Sequence, residues 1–274
     1  MAYVKCLKGI KGSEIPEGST ATPTDIVETL LNCAGIFDKE YTTIAQLIAD
    51  TTSLNTVITS NNAIDYLVRS TTFASSVTAD QTTMSYIGLN NYASNTLLAD
   101  STWASAICNS TYFESVLNVK VPVMTSNTTP SGECVGTATS AEAYMAFDGD
   151  DTTQFMTYGA TASTSPNVDK YCGYIFQSSV KVYCAKWLQT PASSSNAYSG
   201  TAKLQYSDDN LSWEDFYSFT LQSAESTNIE TYIFSTALTH KGFRVFTTAG
   251  NFKSSENKIA LRLRTLQFYG RVDV

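Results

Sequence analysis

Charge is scarce in this chain, and basic charge scarcest of all. Only 15% of the 274 residues are charged, and the formal net charge is −8. Between residues 41 and 118 the one basic residue is Arg69, set against Asp50, Asp65, Asp80, Asp100 and Glu114. With no basic run in the chain, nothing offers the electrostatic footprint of a nucleic-acid binder. Histidine occurs once, at His240, in what reads as a turn before a strand. A Ser-His-Asp or Cys-His arrangement needs a placed base, and a lone turn histidine supplies none. Asp148, Asp208 and Glu214 offer carboxylates for glycoside hydrolysis, yet nothing singles out a pair. The chain reads as a non-enzyme.

Long apolar runs are also missing, so no segment reaches the ~20 residues of a membrane span. The first ten residues lack a signal-peptide core, which leads us to expect a protein made in the cytosol that stays there or leaves within an assembly. The six cysteines show no CxxC spacing and no neighbouring histidine. We read them as reduced core thiols, with a Cys172–Cys184 bridge across neighbouring strands as the alternative.

What the chain does have is a rhythm of ten. Asp50, Ser60, Ser70, Asp80, Asn90, Asp100 and Ser110 are evenly spaced, and each is a helix-capping residue type. In register runs an aliphatic ladder: Leu47, Val57, Leu67, Val77, Ile87, Leu97, Ile107 and Leu117. Each unit places a second apolar residue three or four positions earlier, as in Leu54 with Val57, Ile64 with Leu67, Phe73 with Val77 and Trp103 with Ile107. That spacing predicts a two-turn helix with one apolar face. The Asn90 unit is irregular, with Tyr92 and Ala93 where a clean apolar residue is expected.

A single continuous helix is excluded by angle. Ten residues at 3.6 per turn rotate the apolar face by about 80° per unit, so no seam persists. Two-turn helices are unstable alone, and these must stack on neighbours along the chain or on copies in other chains. We take Trp103 as packing.

Ahead of the rhythm lie residues 1–21, a short apolar start and then a Gly/Ser/Thr/Pro-rich link, read as an attachment arm. Thr22 then caps a helix with Pro23 in its first turn, which should stop at Gly35, and a second helix should begin near Asp38. After Asn118 the texture changes to β-rich runs separated by Asp/Asn/Ser/Gly clusters: 173–176, 180–187, 202–206, 213–221, 231–234, 243–246 and 261–269. The fold class expected is α+β in separate domains. Short-helix decapeptide units occupy 22–118, and an antiparallel β-sandwich (jelly roll) occupies 119–274.

Four stretches of the second half, in order, resemble the discoidin family (coagulation-factor type C, galactose-binding-like). They are 146–157 (AFDGDDTTQFMT), 202–213 (AKLQYSDDNLSW), 242–246 (GFRVF) and 263–270 (LRTLQFYG). Phe155 stands where the family usually has Trp, and Thr265 where it usually has Glu. The resemblance implies an eight-stranded, non-catalytic jelly roll that binds carbohydrate, or sometimes lipid or protein, through loops at one end. It also implies a structural calcium at Asp148 and Asp150, with the Thr153 backbone. The alternative is a turn closed by Asp148 on its own backbone next to Gly149.

Sugar rings want aromatic faces and a few polar groups, which nominates Tyr158, Trp187, Tyr198 and the run Asn251, Phe252, Lys253. Trp213 is assigned to the core. The decapeptides 70–77 and 100–107 resemble those of phage tail-fibre, head-fibre and baseplate proteins. Together these resemblances imply a virion protein, homotrimeric, contacting other virion proteins through its arm and a host surface glycan through its sandwich. A purely structural decoration protein and a binding module of a cell-wall hydrolase system are the alternatives.

Overall fold

The computed structural model describes residues 22–137, 142–156, 169–189, 200–221, 229–247 and 261–273. The expected arm lies outside them. The chain divides into two compact units, residues 1–118 with 273–274, and residues 119–272.

The first unit is a series of short helices: α1 (Pro23–Cys33), α2 (Ile44–Ala49), α3 (Thr51–Thr59), α4 (Asn61–Leu67), α5 (Ala74–Thr78), α6 (Gln81–Leu89), α7 (Asn91–Ala99) and α8 (Ser101–Asn109). Thr22 caps α1 in a reciprocal capping box with Asp25, and Gly35, at φ 77°, follows its end. The second helix begins at Ile44 rather than near Asp38, because Thr43 and Gln46 form the capping box there. Asp50, Ser60, Asp80, Asn90 and Asp100 each accept backbone N–H bonds at the start of the next helix.

Ser70 departs from this pattern. Its hydroxyl turns back to the Tyr66 carbonyl, and a short 3₁₀ turn, Thr71–Phe73, precedes α5 instead. The Asn90 unit, irregular in sequence, forms a full helix. Ala93 and Leu97 are buried in it, and the Tyr92 hydroxyl donates to Asp65 at 2.6 Å.

The nine-residue helices α3, α6, α7 and α8 bury adjacent pairs of positions, such as Ser53–Leu54 with Val57–Ile58, or Thr83–Met84 with Ile87–Gly88. Buried hydroxyls in these pairs are satisfied by the caps: Ser53 donates to Asp50 at 2.9 Å and Thr83 to Asp80 at 2.7 Å. Two sides of each helix are thus covered. Consecutive helices touch, and so do helices three units apart: α2 with α5, α3 with α6, α4 with α7 and α5 with α8. Three short helices therefore complete one turn of a coil, and the next turn stacks on it. The stacking that the isolated units required is made along the chain.

Caps also join the turns. The Asn90 amide caps α7 through its oxygen and donates to the Ile58 carbonyl at 3.1 Å, at the end of α3. Ser110 donates to the Thr78 carbonyl at 2.5 Å, Ser60 to the Cys33 carbonyl at 3.1 Å, and the buried Trp103 indole to the Val68 carbonyl at 3.0 Å. These acceptors are carbonyls that a helix end leaves without partners. At Gly88 the next turn comes so close that an added Cβ would sit 1.8 Å from the Ser115 carbonyl oxygen.

The second unit is an antiparallel β-sandwich of eight strands: β1 (Val119–Lys120), β2 (Glu133–Gly136), β3 (Phe155–Met156), β4 (Lys170–Gln189), β5 (Gly200–Ser207), β6 (Glu214–Leu221), β7 (Glu230–Thr247) and β8 (Arg262–Arg271). The hydrogen-bonded order is β1-β8-β4-β7-β5-β6, with β2 on β4 and β3 on β8. Two pairs of β-rich runs that read as separate strands are each continuous, in β4 and β7. Between Ile175 and Val180 the register slips, so that residues 176–179 oppose Lys241 alone, and it slips again between Val182 and Cys184. His240 therefore lies inside a strand rather than in a turn.

The first half of β4 lies between β2 and β7, and its second half between β7 and β8. One core is shared by both halves, including Cys172, Tyr174, Val182, Trp187, Leu204, Phe243, Val245, Leu266 and Phe268. Cys108, Cys134, Cys172 and Cys184 are buried and form no disulfide. Cys172 and Cys184 share one strand, which rules out the bridge across neighbouring strands. Cys33 is disulfide-bonded, contrary to the expectation of reduced thiols.

The Asn90 tie predicts a graded loss of stability. Asn90→Asp keeps the cap and loses the donor to Ile58, and should cost about 1 kcal/mol in denaturant unfolding. Asn90→Ala loses both and should cost about 2 kcal/mol. An Asp variant as stable as the parent would contradict the tie between turns.

Candidate functional site

Of the residues nominated for ligand binding, Tyr158, Tyr198, Asn251, Phe252 and Lys253 lie outside the described residues. Trp187 is described and does not sit at a loop tip. It is fully buried, stacked on Tyr232 with ring centroids 3.7 Å apart and packed against Phe219 at 4.5 Å. Trp187 is a core residue, and its assignment as a ligand contact is corrected. The reverse holds for Trp213, assigned to the core. It is half-buried and stands over Arg244, outside the core cluster.

The nominated metal loop is closed on itself. Asp148 accepts from the Asp150 backbone N–H at 2.9 Å and from the Thr153 hydroxyl at 2.6 Å, with Gly149 at φ 73°. Asp150 accepts from the Thr152 N–H at 2.8 Å and its hydroxyl at 2.6 Å, which hold its carboxyl below the ordinary range. Thr265, in the position where the resembled family has Glu, donates to Asp151 at 2.7 Å and ties the loop to β8. A calcium ion wants six to eight oxygen ligands. Among the described residues no three Asp, Glu, His or Cys side chains come together. Asp148 and Asp150 are engaged by donors of the loop itself, which is the turn arrangement weighed as the alternative to calcium.

What the sequence did not nominate is a row of side chains across the outward face of β4, β7, β5 and β6. Pairing places Gly173, Arg244, Gln205 and Asp215 side by side across the four strands, with Tyr171, Phe246 and Lys203 in the adjacent row. Their strand neighbours Cys172, Leu204, Phe243 and Val245 point into the core, so strand alternation directs this set to the opposite face, where Tyr171, Lys203, Arg244, Phe246 and Asp215 are partly or fully exposed while Gly173 and Gln205 are buried.

Arg244 is the centre. Its guanidinium carbon lies 4.1 Å from the Trp213 ring centroid, 4.6 Å from that of Tyr171 and 5.1 Å from that of Phe246. Its Nε donates to Gln205 Oε1 at 2.7 Å. Gln205 Nε2 donates in turn to Asp215 Oδ1 at 2.6 Å, and Lys203 Nζ donates to Asp215 Oδ2. The chain of bonds fixes the orientation of the Gln205 amide.

Gly173 makes room for this arrangement, since a Cβ there would meet the Arg244 Cβ at 2.4 Å. Burial pushes the Arg244 guanidinium down to about 10, against the pull of Tyr171, Asp169 and Asp215. The Lys203 hydrogen bond, followed by that of Gln205, lowers the Asp215 carboxyl. The readable signal was the alternation in 243–246, which puts Arg244 and Phe246 on the side opposite Phe243 and Val245.

A second polar cluster surrounds His240. Its Nδ1 lies 3.0 Å from Asp208 Oδ2, and its ring stacks on Tyr206 at 3.9 Å. The Tyr206 hydroxyl donates to Glu214 at 2.6 Å. Ser207, the adjacent hydroxyl, donates to Asp209 at 3.1 Å rather than to His240. Asp208 and Glu214 are thus engaged with separate partners.

No family model matches the chain, and no curated protein matches it in sequence. Solved structures do resemble part of it. The carbohydrate-binding module CpGH89CBM32-5 from Clostridium perfringens, in complex with GalNAc-β-1,3-galactose, is 13% identical. That match covers 51% of this chain and 95% of that chain at a TM-score of 0.40. The C-terminal domain of a chitobiase from Bacteroides fragilis is 16% identical, covering 53% and 97% at 0.42. The CBM32 of AlyQ in complex with 4,5-unsaturated mannuronic acid is 19% identical, covering 49% and 92% at 0.38. Identities and TM-scores this low carry no functional inference.

The closed Asp148 loop predicts indifference to calcium. Melting temperatures in excess chelator and in millimolar calcium should coincide, since an ion that binds only the folded state would raise the midpoint. A rise of several degrees with calcium would contradict this reading.

Proposed function

We propose that the sandwich is a non-catalytic carbohydrate-binding module. The observation that supports this most is the outward row of Tyr171, Trp213, Phe246 and Arg244, with the buried Gln205 holding the arginine. A sugar presents C–H groups on its ring faces and hydroxyls at its edge. Aromatic rings complement the first, and a planar guanidinium group complements the second. Here Tyr171, Phe246 and Arg244 stand on paired strands, which hold them more rigidly than loops would, and Trp213 immediately precedes β6.

We extend this reading to the whole chain as a phage virion appendage, a fibre or baseplate component. In it residues 1–21 dock on other virion proteins, the helical unit acts as a spacer, and the sandwich contacts host surface glycan. The decapeptide resemblance and the stacked short helices support that extension. The helical unit satisfies its apolar faces within one chain, so a homotrimer would have to form through other surfaces.

Binding of the full chain to host cell-wall polysaccharides and neutral and acidic oligosaccharides tests the module. We expect saturable binding that falls tenfold or more, about 1.4 kcal/mol, in Trp213→Ala and Tyr171→Ala. Unchanged affinity in both folded variants would remove this face from the account.

A further inference from the structure

Among the described residues of the outward face, Arg244 carries a charge that no direct ionic partner meets. Among the described residues it forms no ion pair, and its only hydrogen bond is through Nε to Gln205. The carboxylate of the row, Asp215, is taken up on both oxygens, by Lys203 and by the Gln205 amide. Asp169 and Asp215 act on the guanidinium through space. The two terminal nitrogens therefore keep their donors unassigned while three rings hold the group in place.

An arginine fixed in this way differs from an ordinary surface arginine. Its fork matches the two oxygens of a carboxylate, and its orientation is set before a ligand arrives. Half-burial removes part of its hydration, so a carboxylate would meet it in a less screened setting than bulk water. The stacked rings partly offset the cost of holding the cation there.

Building on the carbohydrate-binding reading, we propose that this face selects saccharides that carry a carboxylate, with Arg244 as the selecting group. The sugar carboxylate takes the terminal nitrogens of Arg244. The rim of Trp213 and Tyr171 flanks the ring, and the Gln205–Asp215–Lys203 chain keeps the guanidinium from rotating. Arg244→Lys would retain the charge but lose the fork, which makes it the informative variant.

The test compares each of three uronic-acid oligosaccharides (galacturonate, mannuronate and glucuronate) with its own methyl ester, by calorimetric titration of the full wild-type chain. Esterification removes the carboxylate charge and leaves the ring in place. We expect at least one acid to bind tenfold or more tightly than its ester. That preference should shrink in added salt and be lost in Arg244→Lys and Arg244→Gln.

Equal binding of acid and ester would overturn the selectivity and leave the carbohydrate-binding face standing. Equal binding of a sulfated neutral oligosaccharide would overturn the assignment of the carboxylate. Failure of all three acids to bind, while neutral oligosaccharides bind in a Trp213-dependent way, would likewise overturn the proposal alone. Failure of every saccharide would overturn both. The acid–ester comparison needs no variant, so a misfolded Arg244 substitution does not affect it.

Discussion

The helical unit depends on cap side chains that serve two helices at once. Nine-residue helices rich in Ser, Thr and Asn have no stability of their own in water. Each needs its first N–H groups satisfied and its apolar face covered. Asn90 meets the first need for α7 and, in the same amide, bonds the exposed carbonyl end of α3 one turn of the coil below. Ser60 does the equivalent between α4 and the end of α1. Capping, a local device, is thereby converted into contact between turns of the coil. Asp50, Asp80 and Asp100 cannot donate in this way; Asp50 and Asp80 instead collect N–H and hydroxyl donors from the helices they cap, Asp100 N–H donors alone, and Asp50 the Tyr41 hydroxyl as well.

The sandwich solves a different problem, that of building two packed layers and a functional face from few strands. Its long strands β4 and β7 run through both halves of the sheet, with register slips that change which residues face inward. Alternation then does the rest. Phe243 and Val245 fill the core while Arg244 and Phe246, between and beyond them, form the outward row. The absence of a side chain at Gly173 lets the arginine lie against its neighbours. Core packing and the candidate site are two faces of the same strands, so the core fixes the positions of the outward side chains.

Much of this was legible, and the failures have identifiable causes. Cap chemistry is local, so the starts of α3, α4, α6, α7 and α8 follow from residue type and spacing. How many units complete a turn is a tertiary property, and nothing in the ten-residue pattern encodes it. The β-rich runs were placed correctly, but the polar stretch Gln177, Ser178, Ser179 reads as a turn when it is a bulge within β4. Two tryptophans exchanged roles for a related reason. The slip between Val182 and Cys184 shifts the phase that leads to Trp187, sending it into the core. Trp213 precedes β6 and escapes strand alternation altogether. The site was missed because attention to loops, suggested by the family resemblance, passed over the outward positions of paired strands.

The three tryptophans report on the central claim, that ligand binds the outward face of β4, β7, β5 and β6. Trp103 is buried in the helical unit, Trp187 is buried in the sandwich core, and Trp213 is half-exposed beside Arg244. A ¹⁵N–¹H spectrum of the full chain, titrated with a bound oligosaccharide, resolves their three indole N–H signals. The account predicts that the Trp213 signal shifts progressively while those of Trp103 and Trp187 stay in place. Saturable binding that leaves the Trp213 signal unmoved would place the site elsewhere and contradict it.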